Sequence, residues 1–572
     1  MLEDAATREQ AAPAGQQNGR GPEPDDQYRF TAGRTAPDEA VIDGQIVLEP
    51  GDMLGTVISD DGSPTFEEIR FRLSAPATVR PGEFVAVEGR DRIGGLVSWL
   101  LCRVLDVHEV NPHEDPQSAT VRDVLPFPGT YATEGESTVI YRIVRCEPVE
   151  EMPATDGGIG EPAEVQTLPR AGDRVCRPRP DMIVAAMGFP PDPDEGLHVG
   201  HLHGDSSIPV TVENGAVQRH MLIVGGIGSG KSYTRGVLGE ELHRWGVPQV
   251  NIDINGEMVG AAEELGGRNV RPGEGFTLPL GSLTREDLLE AVSGVNRGTN
   301  IETLIGYTFD SLRREIARGR RSAFSVDDLV AAIEVQAPVL NMQAPNTLRP
   351  AQQRVRALDR LNYIGPRFGW KGALCPGAFI NIDCRGLLLR DLRIVTAAIA
   401  RDLQDLARQR EIPFTVLSID EFHLVAPNDD KMVSTQVLRE IARIGRHYRL
   451  GLILTTQSPS DVDRAVLKRL LTRFVHTIEP DQLDALRGIF SDAPPEMIHS
   501  LPKLPRGTCV LTGVAETVRH ATVVDVRGRV TSHGGATPDV FSDLRSRGWP
   551  GKKPLSEIIQ DAERDGDGGD DH

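Results

Sequence analysis

A glycine-rich loop between a strand and a helix most limits what this chain can fold into. The apolar run at 221–224 predicts a buried strand, and residues 233–242 predict a helix. Between them lies a G-x-x-x-x-G-K-[ST] segment consisting of Gly225, Gly226, Ile227, Gly228, Ser229, Gly230, Lys231 and Ser232. Glycines let backbone N–H groups face phosphate, and the helix N-terminus adds a favourable dipole. The alternative, a glycine turn without a ligand, does not account for the Lys-Ser pair in register after a strand.

The loop predicts binding of a nucleoside triphosphate, taken as ATP, with Mg²⁺. Lys231 is expected to reach the β- and γ-phosphates, and the Ser232 hydroxyl to ligate the metal ion. Tyr233, the next residue of the helix, is included in the predicted nucleotide-binding segment. The motif does not say how the energy of hydrolysis is used.

The composition is that of a globular chain of more than one domain. Its 572 residues carry a net charge of −21, so contact with a polyanion has to use a local basic surface. No apolar run approaches the ~20 residues that span a bilayer. The six cysteines are scattered without a C-x-x-C pair, which predicts a reducing, cytoplasmic compartment and no zinc module.

The pattern of apolar residues divides the chain into four parts. Residues 1–40 are polar and predicted to be disordered, and 41–190 contain short strands separated by turn residues, which predicts a small β-barrel. Residues 191–545 alternate strands with helices, which predicts an α/β domain with a mostly parallel sheet. Helical periodicity at about 283–367 predicts a helical bundle inserted into that domain. Residues 546–572 form a C-terminal segment with an acidic tail.

Two adjacent carboxylates follow a predicted strand at 415–419. Asp420 is expected to complete the Mg²⁺ shell, and Glu421 to orient and polarise the attacking water. The alternative is an acidic pair that caps a helix after a strand, and the upstream phosphate loop favours the catalytic interpretation. A water-activating carboxylate predicts hydrolysis rather than phosphate transfer to another nucleotide.

Polar residues end two more predicted strands, at 249–254 and 450–455. Asp253 and Glu257 follow the first strand, and Gln457 follows the second. Because ligands bind at the carboxyl ends of parallel strands, these side chains are candidates for the γ-phosphate region, with Gln457 as a sensor of hydrolysis. An ordinary strand-to-turn connection remains the alternative for each segment.

Arginines are the expected source of the cation that stabilises the γ-phosphate in the transition state. Arg443 and Arg446 precede the strand at 450–455, and Arg219 lies twelve residues before Lys231 as a weaker candidate. A solvated helix face is the alternative for each arginine alone. Basic residues after that strand are candidates for contact with DNA or ordinary surface positions: Arg464, Lys468, Arg469 and Arg473.

Taken together, these motifs resemble the HerA family of the FtsK/HerA superfamily. The resemblance rests on the phosphate loop, the segment of Asp253 and Glu257, Asp420-Glu421-Phe422-His423, the helix at 441–446 and Gln457-Ser458-Pro459-Ser460-Asp461-Val462. It covers roughly residues 45–545 and implies a RecA-like P-loop ATPase core with an inserted helical bundle after a small N-terminal barrel. It further implies that Arg446, or Arg443 close behind it, acts from a neighbouring subunit, and that Glu257 and Gln457 belong to the catalytic set.

The family's activity is then expected here. The resemblance implies a homohexameric double-stranded DNA translocase or helicase that works with a NurA-like nuclease or another effector, in DNA end processing or phage defence. Two rivals remain: an ATP-binding ring that scaffolds an effector with little translocation, and a conjugation or secretion ATPase of the same superfamily.

Overall fold

A computed structural model gives the fold of the chain. It describes residues 53–534 apart from 60–61, 75–76, 91–94, 111–140, 156–157, 293–295, 297, 429–431, 491–492 and 514–516, together with 41–42, 45–46 and 546. The sequence-based predictions for residues 1–40 and for the acidic tail therefore lie outside the described residues. Two short strands, β1 (Val41–Ile42) and β2 (Gln45–Ile46), pair with each other in antiparallel register.

The N-terminal part is a closed barrel of six strands. The order β3-β9-β5-β6-β7-β4 returns to β3, because β4 pairs with both β3 and β7. The short strand β8 pairs with β7 outside the ring. The bounds are β3 Met53–Val57, β4 Ile69–Leu73, β5 Phe84–Arg90, β6 Leu96–Val110, β7 Tyr141–Thr155, β8 Gly158–Ile159 and β9 Arg174–Cys176.

Strand β5 shows why the barrel has apolar residues on both faces of a strand. Successive side chains of a strand point to opposite faces. Val85 and Val87 lie in the barrel interior, whereas Phe84 and Ala86 join a second apolar cluster with residues of the sheet that follows. A near-continuous apolar run therefore marks a barrel wall that is covered by another domain.

The second part contains a twelve-stranded mixed sheet, in the order β11-β10-β21-β20-β19-β12-β18-β17-β13-β16-β14-β15. From β19 to β15 the neighbouring strands are parallel, and from β19 to β11 they are antiparallel. The bounds are β10 Leu197–Leu202, β11 Asp205–Val212, β12 Met221–Val224, β13 Gln249–Asp253, β14 Arg268–Pro272, β15 Gly275–Phe276, β16 Phe379–Asp383, β17 Thr415–Ile419, β18 Leu450–Thr456, β19 Thr472–His476, β20 Thr508–Thr512 and β21 Thr522–Val526.

Helices cover this sheet, and a group of them is inserted between β15 and β16. Thr284 and Ser325 start two of the inserted helices with capping boxes, which satisfy otherwise unpaired N–H groups. The bounds are α1 Pro180–Met187, α2 Lys231–Arg244, α3 Val259–Glu264, α4 Arg285–Ala291, α5 Asn300–Ala317, α6 Val326–Val339, α7 Pro345–Arg356, α8 Trp370–Ala373, α9 Leu389–Arg408, α10 Val433–Ile444, α11 Arg464–Leu467, α12 Leu483–Arg487 and α13 Pro495–Ser500. The predicted fold class is confirmed: an α/β core of the RecA-like kind with an inserted bundle, preceded by a barrel.

Candidate active site

The phosphate loop joins β12 to α2 at the carboxyl edge of the parallel strands. Gly228 and Gly230 have φ angles of 73° and 120°, which side chains with a Cβ rarely adopt. The Lys231 side chain is 7% exposed, and its Nζ donates to the Gly226 carbonyl oxygen at 2.9 Å. Burial lowers the pKa of Lys231, and the carboxylates of Glu421, Asp420 and Glu257 oppose that effect. The lysine therefore already lies among the predicted catalytic carboxylates.

His476 packs behind the loop and was not predicted from the sequence. Its Nδ1 lies 3.1 Å from the Thr508 carbonyl oxygen, and its Nε2 lies 2.8 Å from the Thr234 hydroxyl. Burial lowers the pKa of His476 to about 4, so the ring is neutral at physiological pH. A Cβ at Gly225 would lie 2.5 Å from Ser229 Oγ and 2.7 Å from His476 Cβ. The loop and this histidine thus fit only with glycine at position 225.

Asp420 directly follows β17, which is separated from β12 by β18 in the sheet. It is 1% exposed, and Asn255 Nδ2 donates to its Oδ2 at 3.4 Å. Burial raises the pKa of Asp420 to about 6, against the lowering effect of Arg235. A carboxylate oxygen such as that of Asp420 suits a hard cation such as Mg²⁺.

Glu421 follows in the left-handed region, with φ 40° and ψ 48°. Burial, followed by the neighbouring Asp420 carboxylate, raises the pKa of Glu421 to about 7, while Lys231 and the backbone N–H of Gln457 lower it. Its Oε2 is buried without a hydrogen-bond partner and lies 3.4 Å from His423 Nδ1. A buried carboxylate oxygen that lacks a donor and has a pKa near neutrality is suited to accept a proton from water.

Asp253 organises the turn that carries Glu257. Its carboxylate accepts backbone N–H groups of Gly256 and Glu257 at 3.0 Å and of Met258 at 2.9 Å. Three such bonds occupy Asp253 structurally, whereas Glu257 Oε2 is buried without a hydrogen-bond partner. Glu257 is therefore the carboxylate of this segment that is available for the site.

Arg235, on the second turn of α2, supplies a cation that the sequence analysis missed. It is 2% exposed, its Nε donates to Ser418 Oγ at 2.8 Å, and its Nη1 lies 3.8 Å from Asp420 Oδ2. Only the fold brings this helix against β17, so local spacing could not identify the contact. Because Arg235 lies against Asp420 and Ser418, it holds the Asp420 carboxylate in place.

The arginines predicted to act from a neighbouring subunit lie at the end of α10 and in the turn that follows it. Arg443 is exposed in the last turn of α10 and forms no ion pair with another residue that the structure describes. The backbone of Arg446 lies in the 3-10 turn Gly445–Tyr448. Arg473 was predicted either to contact DNA or to lie at the surface, and both alternatives were wrong. The residue is buried in β19, and its guanidinium donates to the Ile489 carbonyl oxygen at 2.7 Å. Within the described residues, no ion pair joins Glu421 to an arginine of the same subunit.

The chain returns to the site at its C-terminal end. Residues 527–534, here called the strap, cross α2 after β21. Glu240 accepts backbone N–H groups of Val530 at 2.9 Å and Thr531 at 2.7 Å, and Tyr233 Oη accepts the N–H of Arg529. The Tyr233 hydroxyl therefore bonds the strap, and the role of Tyr233 in nucleotide binding stays a prediction.

The site as a whole fits ATP with a divalent cation. A positively charged lysine in a glycine loop faces two carboxylates with unpaired buried oxygens, and Ser232 lies half-buried at the start of α2. Fold and site together define a P-loop ATPase.

Comparisons with known proteins identify the kind of P-loop ATPase. Residues 197–403 match the family described as "Helicase HerA, central domain", and residues 372–479 match the ATPase family associated with various cellular activities (AAA). The DNA double-strand break repair helicase HerA of Sulfolobus acidocaldarius is 21% identical over 368 residues, which are 61% of this chain and 72% of that protein. The helicase of the same name from Pyrococcus furiosus is 20% identical over 522 residues, covering 79% and 89%. Residues 197–403 of the chain therefore form a HerA central domain, as the motifs predicted.

Two solved structures align with more than half of the chain. VirB4 of Thermoanaerobacter pseudethanolicus aligns with a TM-score of 0.48 at 16% identity, over 58% of this chain and 97% of that one. The plasmid coupling protein TrwB in complex with ADP and Mg²⁺ aligns with a TM-score of 0.42 at 16% identity, over 58% and 89%. Within the described part of this chain, no helix is both long enough and apolar enough to cross a membrane.

Proposed function

We propose that this ATPase is an ATP-driven double-stranded DNA translocase that works as a ring of six identical subunits. The observation that supports it most is the state of Glu421. Its buried, unpaired oxygen and raised pKa suit water activation. Lys231 is the cation that lowers its pKa, whereas Arg235 is paired with Asp420. Such a site hydrolyses ATP efficiently only if another positive charge arrives from outside the subunit.

We assign the catalytic roles to the residues that the fold brings together. Lys231 binds the β- and γ-phosphates, and Glu421 accepts a proton from the water that attacks the γ-phosphorus as the bond to the leaving oxygen breaks. Ser232 and Asp420 would hold Mg²⁺, which supplies charge neutralisation when it is bound. Gln457 connects the site to β18, since its backbone N–H already contacts Glu421.

We assign the missing cation to Arg446 of the neighbouring subunit, with Arg443 as the second candidate. Arg443 is exposed and lies in the turn of α10 that leads to Arg446. A cation supplied in this way makes hydrolysis depend on assembly and couples adjacent sites.

A mixing experiment tests the shared site. Subunits with Arg446→Ala and subunits with Glu421→Gln are each expected to be inactive alone. Mixed rings contain interfaces in which one subunit supplies Glu421 and the other Arg446, so activity is expected to return. Arg443→Ala in place of Arg446→Ala decides between the two arginines, and a mixture that stays inactive with both argues against a shared site.

The DNA substrate is proposed from the relatives, which are named as DNA double-strand break repair helicases. With a net charge of −21, the chain can bind DNA only where arginines and lysines are concentrated. The proposed partner is a NurA-like nuclease or another effector that docks on the barrel, in DNA end processing or phage defence.

ATP turnover with and without linear duplex DNA tests the motor. The wild-type chain is expected to be stimulated by DNA at low salt, to behave as a hexamer in solution, and to lose turnover with Glu421→Gln. A monomeric protein, or turnover unchanged by this substitution, contradicts the motor proposal. A hexamer that hydrolyses ATP without DNA stimulation and still binds an effector supports the scaffold.

A further inference from the structure

An arginine-rich turn at the end of α5 stands out in this acidic chain. Residues 313–321, here called the arginine turn, contain five arginines and one acidic residue: Arg313, Arg314, Glu315, Arg318, Arg320 and Arg321. The turn closes the longest helix of the inserted bundle and contains none of the residues assigned to hydrolysis. Neither the ATPase mechanism nor the packing of the bundle accounts for this concentration of positive charge.

The backbone of the turn is fixed by local hydrogen bonds. Gly319, with φ 69°, donates its N–H to the Ile316 carbonyl oxygen at 2.9 Å, and the Arg320 N–H reaches the Glu315 carbonyl oxygen at 2.9 Å. These bonds pair backbone carbonyl groups at the C-terminal end of α5, so the arginines extend from an ordered backbone. Less conformational entropy is lost when such a surface binds a ligand.

The five guanidinium groups fall into three kinds. Arg321 is neutralised by Glu315 at 3.3 Å and Asp328 at 3.2 Å. Arg318 and Arg320 are exposed, and neither forms an ion pair with any residue in the described ranges. A cation near a helix C-terminus gains about 0.3–1 kcal/mol from the helix dipole, but that gain does not require a cluster.

Two further arginines are oriented by aromatic rings on the same helix. The Arg313 guanidinium carbon lies 6.0 Å from the centre of the Phe309 ring, and that of Arg314 lies 5.7 Å from the centre of the Tyr307 ring. Stacking in this way holds a guanidinium in place without neutralising its charge. The face beside them borders a shallow cavity of about 580 Å³.

We propose that the arginine turn binds the phosphate backbone of duplex DNA, with Arg318 and Arg320 as the contacting residues. Guanidinium groups form paired hydrogen bonds with phosphate oxygens. Because Arg318 and Arg320 are not paired with a carboxylate among the residues that the structure describes, their positive charge is available to the polyanion. The contact is independent of base sequence. This inference rests on the proposed DNA function and identifies the surface of the bundle that contacts the duplex.

The test measures the affinity of the intact chain for a linear duplex as a function of salt. In the double variant Arg318→Gln/Arg320→Gln, the slope of log affinity against log salt is expected to become shallower by about 2 for each engaged subunit. From ~50 to ~200 mM salt, the affinity ratio of wild type to variant should shrink roughly tenfold. Basal ATP turnover without DNA should not change.

Two control variants separate a specific contact from a general charge effect. Lys371→Gln/Arg179→Gln removes the same charge from the exposed Lys371 and the half-buried Arg179, which are paired with Glu411 and Asp181. It should leave the slope within about 0.5 of wild type. Arg318→Lys/Arg320→Lys keeps both charges and should retain most of the slope, which also covers the case of a glutamine variant that does not fold.

Each outcome decides between the proposals. If the wild-type chain neither binds duplex DNA nor is stimulated by it, the proposed function fails. If wild type binds and the glutamine variant has the same slope, or the control lowers the slope equally, the arginine turn is not the contact and the motor proposal stands. Loss of self-association instead of DNA affinity would assign the turn to an acidic surface of another copy and overturn the inference.

Discussion

The raised pKa of Glu421 has a consequence for stability that can be measured apart from catalysis. The carboxyl group has an ordinary pKa of 4.5 and a pKa of about 7 in the folded chain. Between these values the folded state binds more protons than the unfolded state, so the free energy of unfolding falls as pH rises. This difference in pKa lowers the free energy of unfolding by about 3 kcal/mol at pH ~8 and by less than about 1 kcal/mol at pH ~5.

Replacing Glu421 by Gln removes this penalty because the amide does not ionise. The variant is therefore expected to be more stable than wild type at pH ~8, by up to about 3 kcal/mol, and nearly equal at pH ~5. Hydrolysis should fall by roughly 10²–10⁴-fold, since the residue that we propose accepts the proton from water is lost. Activity and stability would thus change in opposite directions at one position.

The assay compares thermal unfolding midpoints of the two chains in chelator, without nucleotide, across this pH range. An increase on the order of 5 °C at the alkaline end, absent at the acidic end, is expected. Glu334→Gln on the exposed face of α6 serves as the control. An equal midpoint difference at both ends of the pH range, or a wild type that is more stable under alkaline conditions, would refute the reasoning.

Three further substitutions test the construction of the site. Gly225→Ala should weaken nucleotide binding at least tenfold by equilibrium titration, because the added Cβ meets Ser229 and His476; unchanged affinity would contradict this. Asp253→Ala should destabilise the chain by about 3 kcal/mol or more in thermal unfolding, since three backbone N–H groups lose their acceptor. Arg235→Gln should raise the pKa of Asp420 further, so ATP turnover should decline at a higher pH on acidification; a pH profile identical to that of wild type would exclude this role.

Local patterns predicted the parts of the site that are continuous in sequence. The phosphate loop and the strand that ends in Asp420 and Glu421 each combine an apolar run with polar residues at its end, so spacing alone identified them. The barrel and the inserted bundle were also predicted, because period-two and helical patterns extend over many residues there.

Contacts between distant segments could not be predicted in this way. Arg235 was missed because it reaches Ser418 only after α2 packs across β17. Arg473 follows a basic run, so it resembled a surface residue, yet β19 lies between β12 and β20 and buries it. The structural use of Asp253 was likewise hidden, since a carboxylate after a strand can serve a turn or a ligand equally well.

The position of β21 has a consequence for how the protein is made. This strand pairs with β10 at Gly200 and Val526, and the strap that follows it bonds Glu240 of the phosphate-loop helix. The ribosome therefore synthesises the barrel, the phosphate loop and the Asp420-Glu421 segment before the strand that joins β10 to β20. Until synthesis reaches that strand, the edges of β10 and β20 lack this neighbour, and exposed edges recruit other chains. Nascent chains of this length would depend on rapid completion or on a chaperone at that stage.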